Sequence, residues 1–541
     1  MYHEGVTMEL LHRIRAFIMP TLIFLFLGSW ALAHFTSPYF RLASIPMTLL
    51  LAVAFYDRSQ KSHSIMRNYP LLGRLRYLFE SAGPELHQYV VESNTSGRPF
   101  NRDQRDLMYR RAKGIAAVKP FGTELDVYAE GYGFISHSAR PTEVVEDPAR
   151  NARVEIGGSQ CGKPYSASIL NVSAMSFGAL SARAILAIGG GARLGGFAMN
   201  TGEGGFSRHH RATGADIVWQ IGTGYFGCRT AVGHFDAERF TETVQSEQIK
   251  MVELKLSQGA KPGHGGILPA AKVSEEIAEA RGVPIHSDCI SPPGHSAFDT
   301  PIGLLEFVAR LRELSGGKPV GFKLCVGNPR DVYAICKAML ETGIRPDFIT
   351  VDGAEGGTGA APTEFSDHVG FPLREGLLVV RNALVGTGLK DEVRIAASGK
   401  RMAGFELAIA SALGADWCNV ARGFMFAVGC IQSQSCHTNS CPVGVATQDQ
   451  RLQRAIVVDD KAKRVHSFHK HTVEDVADLA AACGLAHPFD FAPHHLYERM
   501  NAHHVKRLDE IYPFTQPGQL IDGRPPADMR ADWEAASPDR F

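Results

Sequence analysis

The hydrophobic pattern of this chain changes character twice. Residues 16–33 form an uncharged run rich in Phe, Leu and Ile, with Trp30 near its far end. After a polar break at Thr36-Ser37-Pro38, a second uncharged run occupies 42–55. A spanning helix needs about 20 apolar residues, so the first run predicts a span. The second, being shorter, predicts either the return arm of a tight hairpin or a partly embedded segment. Residues 64–149 are mixed: 69–80 and 102–113 have amphipathic helical spacing and are joined by polar loops, as expected of a collar. From about residue 166 short apolar runs alternate with helical patterns. The candidate strands are 168–173, 197–201, 217–221, 250–256, 320–325, 347–351, 394–397 and 417–420. A weaker run at 285–290 is placed in an insertion after the fourth strand. Eight strands with intervening helices predict a parallel (β/α)8 barrel over 150–450, with a doubly wound sheet as the alternative. Residues 451–541 read as a helical extension.

Charge adds direction to this layout. Arg13 and Arg15 precede the apolar pair, Arg58, Lys61 and Arg67 follow it, and Arg41 alone lies between. Positive residues favour the cytoplasmic side, so 1–63 is expected to be a hairpin in the cell membrane that leaves the catalytic body cytoplasmic. No small-residue cleavage site precedes the second run, which argues against a signal peptide. With 56 basic and 56 acidic residues the chain has no net charge, and no nucleic-acid partner is expected.

The densest chemistry lies in the loop 429–446, where Cys430, Cys436 and Cys441 share twelve positions among polar turn formers and Pro442 closes the run. Cysteine followed by proline is a familiar ending for iron–sulfur loops, and complete four-iron clusters take four thiolates. Three thiolates with no nearby fourth point to a 3Fe-4S centre. Zinc with His437 is the rival, but adjacent Cys436 and His437 are poorly placed to share one tetrahedron. The other seven cysteines lie in apolar or strand-like settings and read as reduced core thiols.

Glycines gather where strands end, at 189–191, 202–205, 263–266, 353–359 and 399. In a barrel, catalytic groups sit at the C-terminal strand ends and phosphates bind after the seventh and eighth strands. Those loops read Ser398-Gly399-Lys400-Arg401 and Ala421-Arg422-Gly423, preceded in the sixth position by a run containing Gly356 and Gly357. Backbone N–H groups and cations together suit a phosphate-bearing cofactor. A flavin fits best, because it can exchange a hydride on one side and single electrons with a cluster on the other. Lys255 and Lys323 lie inside apolar strands, where an unpaired ammonium is costly; both are expected to await an anion.

These segments resemble the flavin-binding synthase domain of glutamate synthase. The resemblance rests on Ser173 to Ser181, Asn200 to Gly205, Gln258 to Gly263, Ile290 to Pro293, Gly356 to Gly359 and Cys430 to Gln448, in that order, over roughly 150–450. The whole chain resembles stand-alone, membrane-anchored bacterial proteins of that type. The resemblance implies FMN, a 3Fe-4S cluster on Cys430, Cys436 and Cys441, and reduction of the imine of 2-oxoglutarate and ammonia to glutamate. It places Met175, Ser176, Gln220, Lys323, Ser398, Gly399, Arg422 and Gly423 at the flavin, beside Gly356, Gly357 and Lys400 of the glycine loops. It gives Glu203, Lys261 and Arg281 to the oxo-acid, the two cations for its carboxylates and Glu203 for the imine or a proton.

The chain also departs from the family pattern. Gly263-His264-Gly265-Gly266-Ile267 stands where the family has Gly-Glu-Gly-Gly-Gln, and Pro292-Pro293-Gly294-His295-Ser296 where it has Pro-Pro-Pro-His-His. The loss of an amide at 267 bears on which oxo-acid or nitrogen donor is used. No N-terminal cysteine nucleophile and no glutaminase segment are seen, and no Gly-x-Gly-x-x-Gly follows a strand. Ammonia is then expected free or from a partner, and electrons from a ferredoxin, a redox subunit or quinol. Three other activities share these features: an N-methylglutamate synthase-like enzyme, an amino-acid dehydrogenase feeding quinone, and a non-catalytic electron-transfer subunit. The pairs His209-His210, His494-His495 and His503-His504 are expected to be structural or surface residues.

Overall fold

The computed structural model describes residues 3–36 and 38–541, with the side chains of 3–16, 38, 43 and 271 excepted. The chain divides into two compact units, Met1–Asp103 and Gln104–Phe541.

In the first unit, α1 (His3–Phe35) and α2 (Arg41–Ser59) pack on each other, joined through a 3₁₀ turn at Pro38–Phe40. Trp30 Nε1 donates to Thr48 Oγ1 across the pair at 3.3 Å. The segment Phe17–Phe35 is almost wholly unburied and, among the described residues, is the one long and apolar enough to cross a membrane. The polar break expected at Ser37 lies outside the described residues. Beyond α2, the chain turns a corner into α3 (Leu72–Leu86). The helix expected over 69–80 thus begins later and runs further.

In the second unit, eight parallel strands close on themselves. They are β1 (Leu170–Val172), β2 (Met199–Asn200), β3 (Ile217–Ile221), β4 (Ile249–Lys255), β5 (Val320–Leu324), β6 (Phe348–Asp352), β7 (Arg394–Ser398) and β8 (Trp417–Val420). Closure comes from β8 pairing β1, with Cys418 opposite Leu170 and Val420 opposite Val172. That pairing excludes the doubly wound sheet. The strands are buried except at half-buried Lys250, Lys255 and Arg394, as parallel strands covered by helices must largely be. The run expected as one strand over 168–173 is divided. Tyr165–Ser168 pairs antiparallel with Arg153–Ile156, and only the remainder enters the barrel. Ile156, Tyr165 and Ala167 pack beneath Ala198, Val218, Met251, Phe348, Ala396 and Trp417, so this ribbon plugs the bottom of the barrel.

Below the strands, Asp347 is held by four donors: Gly158 N at 3.0 Å, Val320 N at 2.8 Å, and Arg312 through Nε at 3.1 Å and Nη2 at 3.0 Å. The insertion after β4 carries the weaker run as expected, in a two-stranded antiparallel ribbon of Ile267–Leu268 with Cys289–Ile290. It also carries α4 (Glu275–Arg281). The C-terminal extension contains α5 (Val458–Ala482), which packs against the helix Ala182–Gly195. A Cβ at Gly191 would stand 2.4 Å from Val465 Cγ1, so only glycine permits that approach. The extension is not purely helical. Leu496–Asn501 and His504–Arg507 form a three-stranded antiparallel sheet with Gly133–Ile135.

Candidate active site at the mouth of the barrel

Polar residues inside the barrel converge on a carboxylate that sequence reasoning gave no role. Glu253, in the middle of β4 and buried, accepts from Asn200 Nδ2 at 2.8 Å, Gln220 Nε2 at 2.6 Å and Thr350 Oγ1 at 2.7 Å. Its partners come from β2, β3 and β6, so one side chain ties four strands together. Gln220, expected at the flavin, therefore has its amide fixed by Glu253.

Above this layer stand two ion pairs. Lys255 Nζ lies 3.1 Å from Glu203 Oε1, and Lys323 Nζ lies 3.0 Å from Asp352 Oδ2. The expectation that both lysines await an external anion is corrected here: the loop after β2 and the last residue of β6 supply their counter-ions. Burial alone would lower the Lys323 pKa, but Asp352 and Glu253 outweigh it and hold the ammonium above its usual range. Burial likewise pushes the Glu203 carboxyl up. Lys255 overcomes that push, helped by Arg281 and Lys261, and the group stays ionised below the usual carboxylate range. Asp352 also accepts Gly259 N at 3.0 Å. At Gly259 any Cβ would fall 1.8 Å from Gly353 O, so that seam between the β4 and β6 loops requires glycine.

The structure brings Glu203, Lys261 and Arg281 together, as their mutual electrostatic influence records. Their situations differ. Lys261 is 8% exposed, and among the described residues its ammonium has no hydrogen-bond or ion-pair partner. Burial, with repulsion from Lys255, pushes its pKa down. Arg281, at the end of α4, donates from Nη2 to Phe177 O at 3.2 Å and Ser176 Oγ at 3.4 Å, and lies 5.2 Å over the Phe226 ring. Its Nε is buried without an acceptor, and among the described residues no carboxylate reaches it. Ser291 Oγ donates to Glu203 Oε2 at 3.4 Å. A Cβ at Gly266 would stand 3.1 Å from Glu203 Oε1, so the insertion ribbon turns its glycine face to the site. Strand alternation then puts Ile267 on the other face; it is 53% exposed, opposite Ile290 at 62%. His264 is exposed, edge-on to Phe365 at 5.2 Å.

The loops after β6, β7 and β8 meet around Glu355. Arg422 Nη2 donates to Glu355 O at 3.1 Å, and Arg401 Nη2 lies 3.5 Å from Glu355 Oε1. Burial pushes the Arg422 pKa down to about 10. A Cβ at Gly357 would meet the Arg422 guanidinium at 3.0 Å, and Gly399 adopts φ +135°, open to glycine alone. Lys400 follows at φ +43°. Ser398 Oγ lies 3.2 Å from Ser173 Oγ of the first loop, next to buried Met175 and half-buried Ser176. Gly356 and Gly423 complete the rim on the same three loops. These loops form a cradle of glycines and half-buried cations.

In the cysteine loop, Cys441 is buried while Cys430 and Cys436 are partly so. Gln432 N points to Cys430 Sγ at 3.5 Å, Tyr109 Oη donates to Cys430 O at 2.7 Å, and Gln432, Gln434 and Asn439 take positive φ as the loop wraps. Burial raises the Cys430 thiol to about 12, with the Cys436 and Cys441 charges adding to it. Sequence reasoning missed buried Lys272, whose Nζ donates to Cys436 O at 3.1 Å and Ala446 O at 3.4 Å. Among the described residues no three His, Cys, Asp or Glu side chains converge as a preformed metal site, and His437 is exposed. The histidine pairs are structural or superficial: His209 Nε2 meets Glu276 at 2.9 Å, and His210 Nδ1 meets Ser207 Oγ at 2.8 Å.

Fold and site together define a (β/α)8 barrel with a charged mouth, a cradle of glycines and half-buried cations on its last three loops, and a cysteine loop. The conserved region of glutamate synthase matches residues 137–486. The chain belongs to the glutamate synthase family. It is 39% identical over 506 residues to the glutamate synthase large subunit-like protein YerD of Bacillus subtilis (strain 168), covering 86% of this chain and 96% of that protein. It is 32% identical over 314 residues to an archaeal-type glutamate synthase [NADPH] of Thermotoga neapolitana, covering 58% of this chain and 59% of the relative. Among solved structures, a mandelate oxidase aligns at 14% identity and a TM-score of 0.40, over 75% of this chain and 98% of its own. So weak a superposition leaves the chemistry to be read from the site itself.

Proposed function

We propose that this chain is a flavin-dependent oxidoreductase that reduces the imine formed from 2-oxoglutarate and ammonia to glutamate, with electrons delivered from a ferredoxin or a redox subunit through the cysteine loop. The observation that carries this reading is Lys261. It is a lysine only 8% exposed whose ammonium has no partner among the described residues, set near an ionised Glu203, while the neighbouring lysines are already paired. An unpaired buried cation is costly unless an anion completes it, and a substrate carboxylate is that anion.

FMN fits the cradle: Ser398, Gly399, Lys400, Arg422 and Gly423 would hold its phosphate, with Met175, Ser176, Gln220, Lys323, Gly356 and Gly357 about the ring. Bound there, it would supply hydride to an electron-poor carbon. The chain's own residues do the remaining work. Lys261 anchors a substrate carboxylate through a charge-assisted bond, and Arg281 adds positive charge behind the Ser176 loop. Glu203, kept ionised by Lys255, favours a protonated imine nitrogen and aligns its N–H. Glu253 keeps the Asn200 and Gln220 amides from rotating, so the floor of the site is rigid before substrate arrives.

Cys430, Cys436 and Cys441 would hold a 3Fe-4S cluster supplying single electrons. The donor types suit it, though the three side chains do not converge in this structure: three thiols on one wrapped loop, a backbone N–H aimed at one sulfur, and buried Lys272 with no carboxylate beside it among the described residues. The apolar hairpin would anchor the enzyme in the cell membrane, its positive flanks keeping the body cytoplasmic.

Anaerobic stopped-flow tests this directly. Pre-reduced holoenzyme mixed with 2-oxoglutarate and ammonia should reoxidise and release glutamate. A flavin that stays reduced, with no glutamate, refutes the reaction. Iron and zinc analysis with EPR of the oxidised protein tests the cluster separately: zinc without iron removes it.

A further inference from the structure

The hairpin is not the only unpartnered apolar surface in the first unit. α3 places Leu72, Leu75, Leu78, Phe79 and Leu86 within about 120° of arc at 3.6 residues per turn, and the following π-helical turn, His87–Val91, adds Val90. These six are 45–73% exposed. The rest of the circumference carries Arg74, Arg76, Glu80, Ser81 and Glu85, with Tyr77 and Pro84 among them. An amphipathic helix of a globular protein turns its apolar stripe to the core. This one turns it outward, and Gly73 is its only buried residue among those described.

The start of this helix is locked to the end of the hairpin. Asp57, completely buried near the end of α2, bonds Arg74 Nε at 2.9 Å and Nη2 at 2.6 Å and accepts Leu71 N at 3.1 Å. Leu71 takes φ +65°, and a Cβ at Gly73 would stand 2.9 Å from Ile65 O, so the corner is tight as well as ion-paired. Wherever the hairpin leaves the lipid, α3 begins at that level. Arg58, Lys61 and Arg67 lie around the corner, a charge pattern that suits anionic headgroups.

We infer that the segment 72–91 lies in the plane of the membrane surface, its Leu/Phe face buried among the upper acyl chains of a phospholipid bilayer. This rests on the reading of the hairpin as membrane-inserted. Its function is to hold the enzyme at a fixed height on the bilayer as an in-plane second anchor, in the manner of interfacial amphipathic helices.

Photocrosslinking in the full-length holoprotein, reconstituted into phosphatidylcholine–phosphatidylglycerol liposomes, separates the possibilities. The photoreactive p-benzoylphenylalanine is placed singly at Leu27 in the hairpin, at Leu78 or Leu86 on the apolar face, or at Ser81 on the polar face. Lipid adducts at Leu27, Leu78 and Leu86, and their loss at Ser81, are expected. An adduct at Leu27 with none at Leu78 or Leu86 overturns the inference while leaving the hairpin inserted. A protein–protein adduct at Leu78 overturns it in favour of a second copy of the chain. No lipid adduct even at Leu27 removes the membrane reading and this inference with it. Liposomes of phosphatidylcholine alone report whether anionic headgroups contribute: adducts at Leu78 only in the anionic vesicles support the charge argument, and equal adducts in both remove it.

Discussion

Glu253 is the side chain on which the interior of the barrel most depends, and replacing it tests the reading of the site's floor. In Glu253→Ala, three buried donors lose their acceptor: Asn200 Nδ2, Gln220 Nε2 and the Thr350 hydroxyl. A stranded buried donor costs about 1–3 kcal/mol, so the sum is about 3–6 kcal/mol once water has repaired part of the gap. Lys323 also loses a charge that helps hold its ammonium. For a unit as long as Gln104–Phe541, about 1 °C of unfolding midpoint goes with each kcal/mol, which gives a fall of about 3–6 °C. Glu253→Gln should be much milder. Its amide oxygen can stand where Oε2 accepts both side-chain amides, while its NH2 faces the Thr350 hydroxyl, which can rotate to accept. The cost is then about 1 kcal/mol. Thermal unfolding of the full chain in detergent, followed by circular dichroism and by flavin release, measures both. A Glu253→Ala midpoint within about 2 °C of the parent would refute the network. A Glu253→Gln variant as damaged as the alanine would refute the assignment of donors and acceptors.

Three further outcomes follow from the same physics. Lys261→Met should raise KM for the anionic substrate about 10–100-fold, the worth of one charge-assisted bond. Its unfolding midpoint should hold or rise, since the ammonium has no partner to strand; an unchanged KM refutes the anchor. Arg312→Ala should cost about 3–5 kcal/mol by leaving Asp347 buried and uncompensated, seen as a large drop in midpoint; a shift comparable to that of a surface substitution would refute the buried pair. Burial lowers Lys318 to about 8, below the ordinary lysine value of about 10.4. The unfolded chain therefore binds more protons between those pH values, and stability contributed at this residue rises with pH across that window. The midpoint difference between parent and Lys318→Met should shift in the parent's favour from pH 8 to 10, and a flat difference would refute it.

The barrel was legible because its cause is local. Each buried parallel strand must be a short apolar run, and each run must end where the backbone turns toward the next helix, so glycine and polar residues mark the same point. That rule located all eight strands to within a few residues. In the first it overreached at Ser168, which belongs to the antiparallel ribbon with Arg153–Ile156, while Leu170–Val172 is the barrel strand. Strand-end position also put Glu203, Lys261 and the glycine loops near the mouth, while the roles of Glu203 and Lys261 came from the family resemblance. What could not be read was who satisfies whom. Glu253 within β4 looks like an isolated charge in an apolar run until Asn200, Gln220 and Thr350 arrive from three other strands. Lys255 and Lys323 look like cations waiting for a ligand until Glu203 and Asp352 are placed beside them. Pairing is a property of the closed barrel, and closure is the step that no single strand encodes. It follows that the informative lysine is the one closure leaves over. Lys261 lies on a loop, and the family resemblance, rather than its place in the hydrophobic pattern, is what gave it to the oxo-acid. Yet it is the cation that reaches the mouth without a partner among the described residues. Under the proposed function, the vacancy it leaves in the electrostatics of the site, rather than the mere presence of positive residues, is what would mark the place of an anionic substrate.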